Sequence, residues 1–343
     1  MIRKLLPLCL LVFLSGVLVF QELERRWQQP LALPPDGLQL VVAPGESLRA
    51  LANRLNRDGI LEYPNLLILY ARWTELDQQM KHGEYLLPAR LTPLELLELL
   101  RRGKVIQYPV TLPEGLNLSQ ALSVLAGQAT LVPVLAGPED SRLYELVKPY
   151  PSPEGLFFPD TYHFSRDTTD FQLLRRAHIR MLQVLDQEWQ DRAPDLPYET
   201  PYEALIMASI IERETGLPEE REQIAGVFVR RLQQGMRLQT DPTVIYGLGS
   251  AFDGNLRRPD LEDESNVYNT YRRDGLPPTP IALPGRASIH AALHPAEGAD
   301  LYFVARGDGG HVFSTTLAQH EAAVRKYQLQ RKQDYRSSPE PGQ

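Results

Sequence analysis

A chain of 343 residues, 43% hydrophobic and 23% charged, is long enough for two or three domains and too apolar to be generally disordered. Its 36 Lys and Arg residues are outnumbered by 43 Asp and Glu residues, so it lacks the basic excess that nucleic-acid binding usually needs. Its single cysteine, Cys9, excludes an intramolecular disulfide and any zinc site built from several cysteines.

The N-terminal segment contains an uncharged, mostly apolar run over residues 5–20. This length approaches the ~20 apolar residues that span a bilayer. No small-residue cleavage site follows the run, and Cys9 follows Leu8 where a lipoprotein signal has a small residue. We therefore predict a retained transmembrane anchor over residues 1–21. Because Arg3 and Lys4 precede the run, the N-terminus is expected in the cytoplasm and the remainder outside it.

The next region reads as a linker and a small domain. Residues 22–37 contain three prolines and no sustained periodicity, which is typical of a linker. Alternation and helical spacing then predict strands at 38–42 and 83–87 with two helices between them, and a further helix from Thr92 to Gly103. This β-α-α-β order resembles a LysM module, so residues 38–106 are interpreted as a LysM-like glycan-binding module. A generic small α+β domain without a ligand gives the same pattern, and that alternative stays open.

A larger second domain is expected over residues 107–327. Its pattern predicts a short helix at 119–125 and a long amphipathic helix at 170–189. The polar residues 328–343 are predicted to be a disordered tail. The expected fold class is therefore α+β: an anchor, a small module and a larger mixed α/β domain.

The most informative helix is predicted over residues 200–216. Thr200, Pro201 and Glu203 provide a start signal with a capping box, and Gly216 provides the end. Residues 204–211 are apolar on almost every face, which predicts a helix buried all round.

Two carboxylates, Glu212 and Glu214, lie in the last turn of this helix. A carboxylate near a helix C-terminus and beside apolar side chains has its charged form disfavoured, and a protonated carboxyl is what a general acid requires. Periodicity does not choose between the two residues. A solvated helix end with Arg213 paired to neighbours is the alternative.

The segments after this helix combine stacking and hydrogen-bonding groups. Residues 236–247, 268–271 and 275–281 are rich in Tyr, Asn, Thr, Asp and Pro and poor in regular periodicity. Aromatic faces and polar side chains on proline-stiffened loops suit a saccharide-binding cleft.

Ordered motifs make a family resemblance specific. The blocks at 208–215, 238–247, 268–271, 275–278 and 291–295, with 154–162 upstream and 301–304 and 310–313 downstream, resemble the signature blocks of the YceG-like (MltG) family of endolytic murein transglycosylases. The similarity spans about residues 38–327. It implies a single-pass protein of the cell inner membrane with a periplasmic catalytic domain.

The resemblance also implies residue roles. Glu212 corresponds to the catalytic acid, which protonates the glycosidic oxygen between N-acetylmuramic acid and N-acetylglucosamine and then, as a carboxylate, accepts the proton of the C6 hydroxyl. A 1,6-anhydro ring closes, and one carboxyl serves twice. Glu214 is then a structural group or one that polarises the cleft. The candidate substrate contacts, each of which could instead stabilise a loop, are Gln239, Thr240, Asp241, Tyr246, Asn269 and Tyr271.

The resemblance implies no metal or other cofactor. His290 and His294 have the i, i+4 spacing of some zinc ligands, but the residues between them lack the glutamate of the HExxH motif. The expected partners are the glycan strands of peptidoglycan, the membrane through the N-terminal helix, and penicillin-binding synthases whose polymerisation the enzyme would end. A muramidase-type hydrolase and a non-catalytic peptidoglycan-binding scaffold are the rival interpretations.

Overall fold

The structure, a computed structural model, describes residues 14–18 and 21–329. The predicted anchor therefore lies largely outside the described residues, as does the predicted tail from residue 330 onwards. Within the described part of the chain, no helix has both the length and the apolar character needed to cross a membrane. The described chain divides into two compact units, residues up to 108 with 163–167, and residues 109–162 with 168 onwards.

The first unit is a small α+β body. Residues 21–28 are helical, and strand β1 (Leu38–Val42) is followed by helices α1 (Leu48–Arg57) and α2 (Pro64–Trp73). Strand β2 (Gly83–Leu87) returns antiparallel to β1 with Leu38 opposite Leu87, and helix α3 (Pro93–Arg102) completes the unit. The predicted β-α-α-β order is confirmed. Its core is almost entirely aliphatic, with the fully buried ring of Tyr85 at its centre.

The second unit is mainly helical, with short strands at its margins. From residue 108 onwards the elements in chain order are β3 (Tyr108–Thr111), α4 (Leu118–Ala126), α5 (Ser141–Leu146), β4 (Thr161–Phe164), α6 (Asp170–Gln190), α7 (Pro201–Glu214), α8 (Arg221–Gln233), α9 (Asp241–Leu248), α10 (Arg258–Glu262), α11 (Arg286–Leu293), β5 (Tyr302–Ala305), β6 (His311–Ser314) and α12 (Leu317–Val324). Strands β3 and β4 form one two-stranded sheet, and β5 and β6 form another, antiparallel one. Mixed α+β architecture is thus confirmed.

Helix α7 is the centre of the second unit. All eight residues from 204 to 211 are buried, as the apolar run predicted. Thr200 caps the helix, since its hydroxyl accepts a hydrogen bond from the Glu203 amide. Helices α6, α8, α9 and α11 pack around it, and α11 makes the most extensive contact. A helix surrounded on all sides holds the residues of its last turn in fixed positions.

The structure corrects the sequence-based reading of two segments. Residues 241–248 form helix α9, although their sequence was interpreted as irregular. Pro242 in the first turn is a helix-start signal, because its missing N–H is one the first turn leaves unbonded anyway. The acidic start and basic end of residues 218–234 predict one continuous helix, but the segment begins with a 3₁₀ turn at Pro218–Glu220 before α8.

Candidate active site

The last turn of α7 carries Glu212 into contact with two other chain segments. The Gly285 amide, immediately before α11, donates a hydrogen bond of 2.9 Å to Glu212 Oε2. Within the described residues this is the one hydrogen bond of the Glu212 carboxyl, so Oε1 stays open. On the other side, Gly115 lies close enough that a Cβ there would come 3.9 Å from Glu212 Cγ.

Two polar residues on one face of α7 hold the segment 281–285 alongside the helix. Ser209, nearly one turn before Glu212, accepts a hydrogen bond of 3.0 Å from the Ile281 amide and donates one to the Ile206 carbonyl. The one hydroxyl in the apolar run therefore has a defined role. Four residues later, the Gly285 amide bonds Glu212, so two hydrogen bonds hold the segment 281–285 along the end of α7.

A further segment is paired to the same stretch of backbone. The Gly115 amide donates to the Leu283 carbonyl at 2.9 Å, and the Leu283 amide donates to the Leu116 carbonyl at 2.7 Å. Arg213 adds a bond of 3.2 Å from Nη1 to the Gly115 carbonyl. Gly115 has φ of +76°, a conformation that favours glycine, and this turn brings the preceding Glu114 towards Gly285.

Glu214 points into a different environment from Glu212. Its Oε1 accepts a short hydrogen bond from the Thr240 hydroxyl. Burial raises the pKa of Glu214 to about 7, the Thr240 hydrogen bond opposes the rise, and the charge of Asp241 adds to it. Asp241 in turn accepts a hydrogen bond of 2.7 Å from the Tyr271 hydroxyl. Four of the residues predicted from the sequence are thus brought together, around Glu214.

The remaining candidate contacts lie elsewhere. Asn269 is fully buried, and its amide nitrogen donates to the carbonyls of Asp260, Leu261 and Asp263, which stabilises a loop. Gln239 is exposed with φ of +52°, and its amide donates to the Thr270 carbonyl. These two residues therefore have clear structural roles in this state of the protein.

Tyr246 is hydrogen-bonded to a second buried carboxyl group, that of Glu154, which the sequence did not single out as functional. Its hydroxyl donates a hydrogen bond of 3.0 Å to Glu154 Oε2, and its ring lies 4.7 Å from that of Tyr268. Glu154 also accepts a hydrogen bond of 3.0 Å from the Leu118 amide at the start of α4. Burial raises the pKa of Glu154 to about 7, although these hydrogen bonds lower it. The sequence pointed to Glu154 only through its position in the family-like block at 154–162.

The two histidines with metal-like spacing form part of a packing contact. With Glu188 of α6, His290 and His294 place three possible ligand atoms within 4.8 Å of one another. Glu188 pairs with Arg286 at 2.6 Å and with His290 Nδ1 at 2.8 Å, and His294 Nε2 lies 2.7 Å from the Asp191 carbonyl. These bonds tie α11 to the C-terminal end of α6.

The fold and this carboxyl site correspond to a known family. The family model described as the YceG-like family matches residues 40–326, and the chain belongs to that family. The resemblance read from the sequence blocks is confirmed.

Curated relatives carry the name endolytic murein transglycosylase. One from Bacillus subtilis is 31% identical over 301 residues, and the alignment covers 82% of this chain and 82% of that relative. One from Streptococcus pneumoniae is 27% identical over 304 residues, which are 78% of this chain and 54% of the relative. A crystal structure of a YceG-like protein from Listeria monocytogenes is similar with a TM-score of 0.54 at 26% identity, covering 84% of this chain and 99% of that one. The chain is accordingly an enzyme of the lytic transglycosylase class, a lyase.

Proposed function

We propose that the protein cleaves the β-1,4 bond between N-acetylmuramic acid and N-acetylglucosamine inside peptidoglycan glycan strands, and leaves 1,6-anhydro-N-acetylmuramic acid ends. The observation that carries the proposal is the Glu212 carboxyl, held at the end of a buried helix by the Gly285 amide with its second oxygen open. The name of the relatives, endolytic murein transglycosylase, supports the substrate class.

In the proposed reaction one carboxyl acts twice. Protonated Glu212 donates its proton to the glycosidic oxygen as the bond to the anomeric carbon breaks. The resulting carboxylate then takes the proton from the C6 hydroxyl while that oxygen bonds to the same anomeric carbon. Glu212 ends the cycle protonated, as it began, and water is not consumed. The Gly285 amide would stabilise the carboxylate stage, because a backbone N–H bonds more strongly to a charged oxygen.

The remaining parts of the chain fit a function at the cell surface. In this proposal residues 1–21 anchor the protein in the inner membrane, the unit with β1 and β2 is a LysM-like module that binds glycan, and the second unit works in the periplasm on nascent strands. Gln239, Thr240, Asp241, Tyr246, Asn269 and Tyr271 remain candidate substrate contacts. Ending glycan elongation would bring the enzyme close to penicillin-binding synthases.

Product analysis tests the proposal. Purified full-length protein is incubated with sacculi, and the soluble fragments are analysed by mass spectrometry. We expect fragments that end in 1,6-anhydro-N-acetylmuramic acid, 18 mass units lighter than hydrolysis products because no water is added. Reducing ends would instead identify a muramidase-type hydrolase, and binding to sacculi without soluble products would identify a scaffold.

A further inference from the structure

An apolar face on the first unit has no role in the reaction described above. It is formed by Leu23 and Trp27 of the helix at 21–28 and by Leu69, Tyr70 and Trp73 of α2, and is called the aromatic face below. Leu69 is 67% exposed and Trp73 is 81% exposed. Soluble proteins rarely leave large side chains of this kind together in water, so a contiguous apolar face of this composition indicates a binding surface.

Ring contacts join the two helices that form the aromatic face. The ring centroids of Trp27 and Tyr70 are 5.0 Å apart, and those of Tyr70 and Trp73 are 6.4 Å apart. Residues 21–28, most of which the sequence assigned to a linker, are thus a helix packed against α2. The aromatic face therefore has a fixed position relative to the start of this helix.

The start of this helix places the aromatic face beside the predicted anchor. The uncharged apolar run in the sequence ends at residue 20, and the helix begins at residue 21. Because an α-helix rises 1.5 Å per residue, Trp27 lies only about 9 Å along the helix from residue 21. With the run in the bilayer, the aromatic face lies at the membrane surface.

The chemistry of the aromatic face suits the boundary between lipid headgroups and acyl chains. Tryptophan and tyrosine are enriched at this boundary, since each ring combines an apolar body with a polar edge. The leucines add aliphatic surface that acyl chains can contact. Among the residues that line the face, Glu24 and Gln28 alone carry a charged or amide group, which is a poor match for the many hydroxyls of a saccharide.

We propose that the aromatic face docks on the lipid bilayer, with Leu69 and Trp73 inserted among the headgroups. The first unit is then held against the membrane through α2 as well as through the anchor. This proposal rests on the proposed function, because it requires residues 1–21 to lie in the inner membrane.

The test is the tryptophan fluorescence of the full-length protein in vesicles of phosphatidylethanolamine and phosphatidylglycerol, with and without bromine on the acyl chains. The chain has three tryptophans, so Trp27→Phe combined with Trp189→Phe leaves Trp73 as the single reporter. Bromine on an acyl chain quenches tryptophan emission only at contact distance. We expect the emission of Trp73 to be quenched in the brominated vesicles.

Two exposed leucines of the same unit provide a matched pair of variants in this reporter. Leu69→Glu places a charge in the aromatic face and should abolish the quenching, because a carboxylate is costly to insert among acyl chains. Leu86 is 62% exposed and lies on β2, outside the aromatic face, so Leu86→Glu should leave the quenching unchanged. Equal quenching in the two variants would contradict the proposal.

The outcomes separate docking from anchoring and from catalysis. A protein that alkaline washing removes from the vesicles is not anchored, which overturns the anchor and the docking together. A protein that stays in the vesicles with Trp73 unquenched overturns the docking alone, and a change in its emission on addition of peptidoglycan fragments would assign the face to glycan. Release of anhydro products from sacculi is measured separately and decides the proposed reaction.

A second measurement needs no substitution and decides the matter if the reporter variant does not fold. The wild-type protein is placed in the same vesicles with a lipid that carries a photoactivatable group on its acyl chain, and the labelled peptides are identified by mass spectrometry. Label in residues 64–73 supports docking through α2. Label confined to residues 1–28 overturns it.

Discussion

The two glutamates of the last turn of α7 lie two residues apart and have different surroundings. Glu212 faces a backbone amide and keeps one carboxyl oxygen open. Glu214 is bonded by the Thr240 hydroxyl within a group of polar side chains. Residues two apart on a helix differ by about 200° in direction, so one faces the segment 281–285 and the other the start of α9. The segment that meets the helix end, and not the helix itself, decides what each carboxyl can do.

Two criteria for the general acid, a raised pKa and an oxygen free to reach a substrate, are met by different glutamates of this turn. Glu214 has a pKa raised to about 7, which suits a general acid. Perturbed pKa values also arise in structural networks, and Glu214 belongs to a network with Thr240, Asp241 and Tyr271. Glu212 has the open oxygen that a proton donor needs to reach a substrate. We therefore assign the chemistry to Glu212 and a supporting role to Glu214.

The largest expected effect comes from exchanging the two glutamates for glutamine. Glu212→Gln removes the proton donor, and kcat on sacculi should fall roughly 10²- to 10⁴-fold, the usual contribution of general acid–base catalysis. Glu214→Gln still offers an amide oxygen to the Thr240 hydroxyl and should lose less than roughly tenfold. Soluble muropeptides released per minute provide the measurement.

Each variant serves as the control for the other, since both change a carboxylate to an amide in the same turn. Melting temperatures near that of the wild type would show that lost activity is not lost folding. If Glu214→Gln lost as much activity as Glu212→Gln, the assignment of the acid to Glu212 would be wrong.

The sequence could identify the helix and both glutamates, because their signals are local. Thr200, Pro201 and the apolar run specify α7 independently of the rest of the chain. The choice between Glu212 and Glu214 depends on Gly285, which lies 73 positions beyond Glu212 and carries no local signal of its role. Asn269 shows the same limit, since an Asn in a polar loop is equally compatible with a sugar contact and with the three backbone carbonyls it binds.

The next effect in size should come from filling the space between the two segments that meet Glu212. Gly285→Ala keeps the amide but places a Cβ 1.8 Å from the present position of Glu114 Oε1, so the backbone or Glu114 must move. A displacement of about 1 Å at a catalytic group can cost up to roughly 100-fold in rate, and we expect kcat to fall roughly 10- to 100-fold. Overpacking should lower the free energy of unfolding by about 1–3 kcal/mol.

A glycine at which an added Cβ meets no clash provides the control. At Gly127 an added Cβ would make ordinary contact, 3.4 Å from the Val124 carbonyl oxygen, so Gly127→Ala should leave activity and melting temperature close to wild type. Wild-type activity in Gly285→Ala would show that the Gly285 segment does not position Glu212 as described.

The smallest effect concerns stability and tests the two carboxyl groups whose pKa values are raised, Glu214 and Glu154. The pKa values of Glu214 and Glu154 are raised to about 7 in the folded protein, against about 4.3 for an unperturbed glutamate. Between these two values the folded state holds protons that the unfolded state has released. The contribution of these two groups to the free energy of unfolding should therefore be full below about pH 4.3, fall as the pH rises to about 7, and level off above it.

Replacing either glutamate with glutamine should remove its contribution to the pH dependence of the free energy of unfolding. Glu214→Gln should unfold like the wild type near pH 4 and be more stable than the wild type at pH 8, by about 1–3 kcal/mol, which is a few degrees in melting temperature. Glu154→Gln should act in the same direction, because Glu154 is only 5% exposed and pays the same desolvation cost when charged. Melting curves of the three proteins at pH 4, 5, 6, 7 and 8 provide the measurement. A Glu214→Gln protein that kept the full wild-type slope would mean that this carboxyl is already ionised in the folded state. The contrast between a carboxyl within a polar network and one with an unbonded oxygen would then no longer explain why two neighbouring glutamates differ.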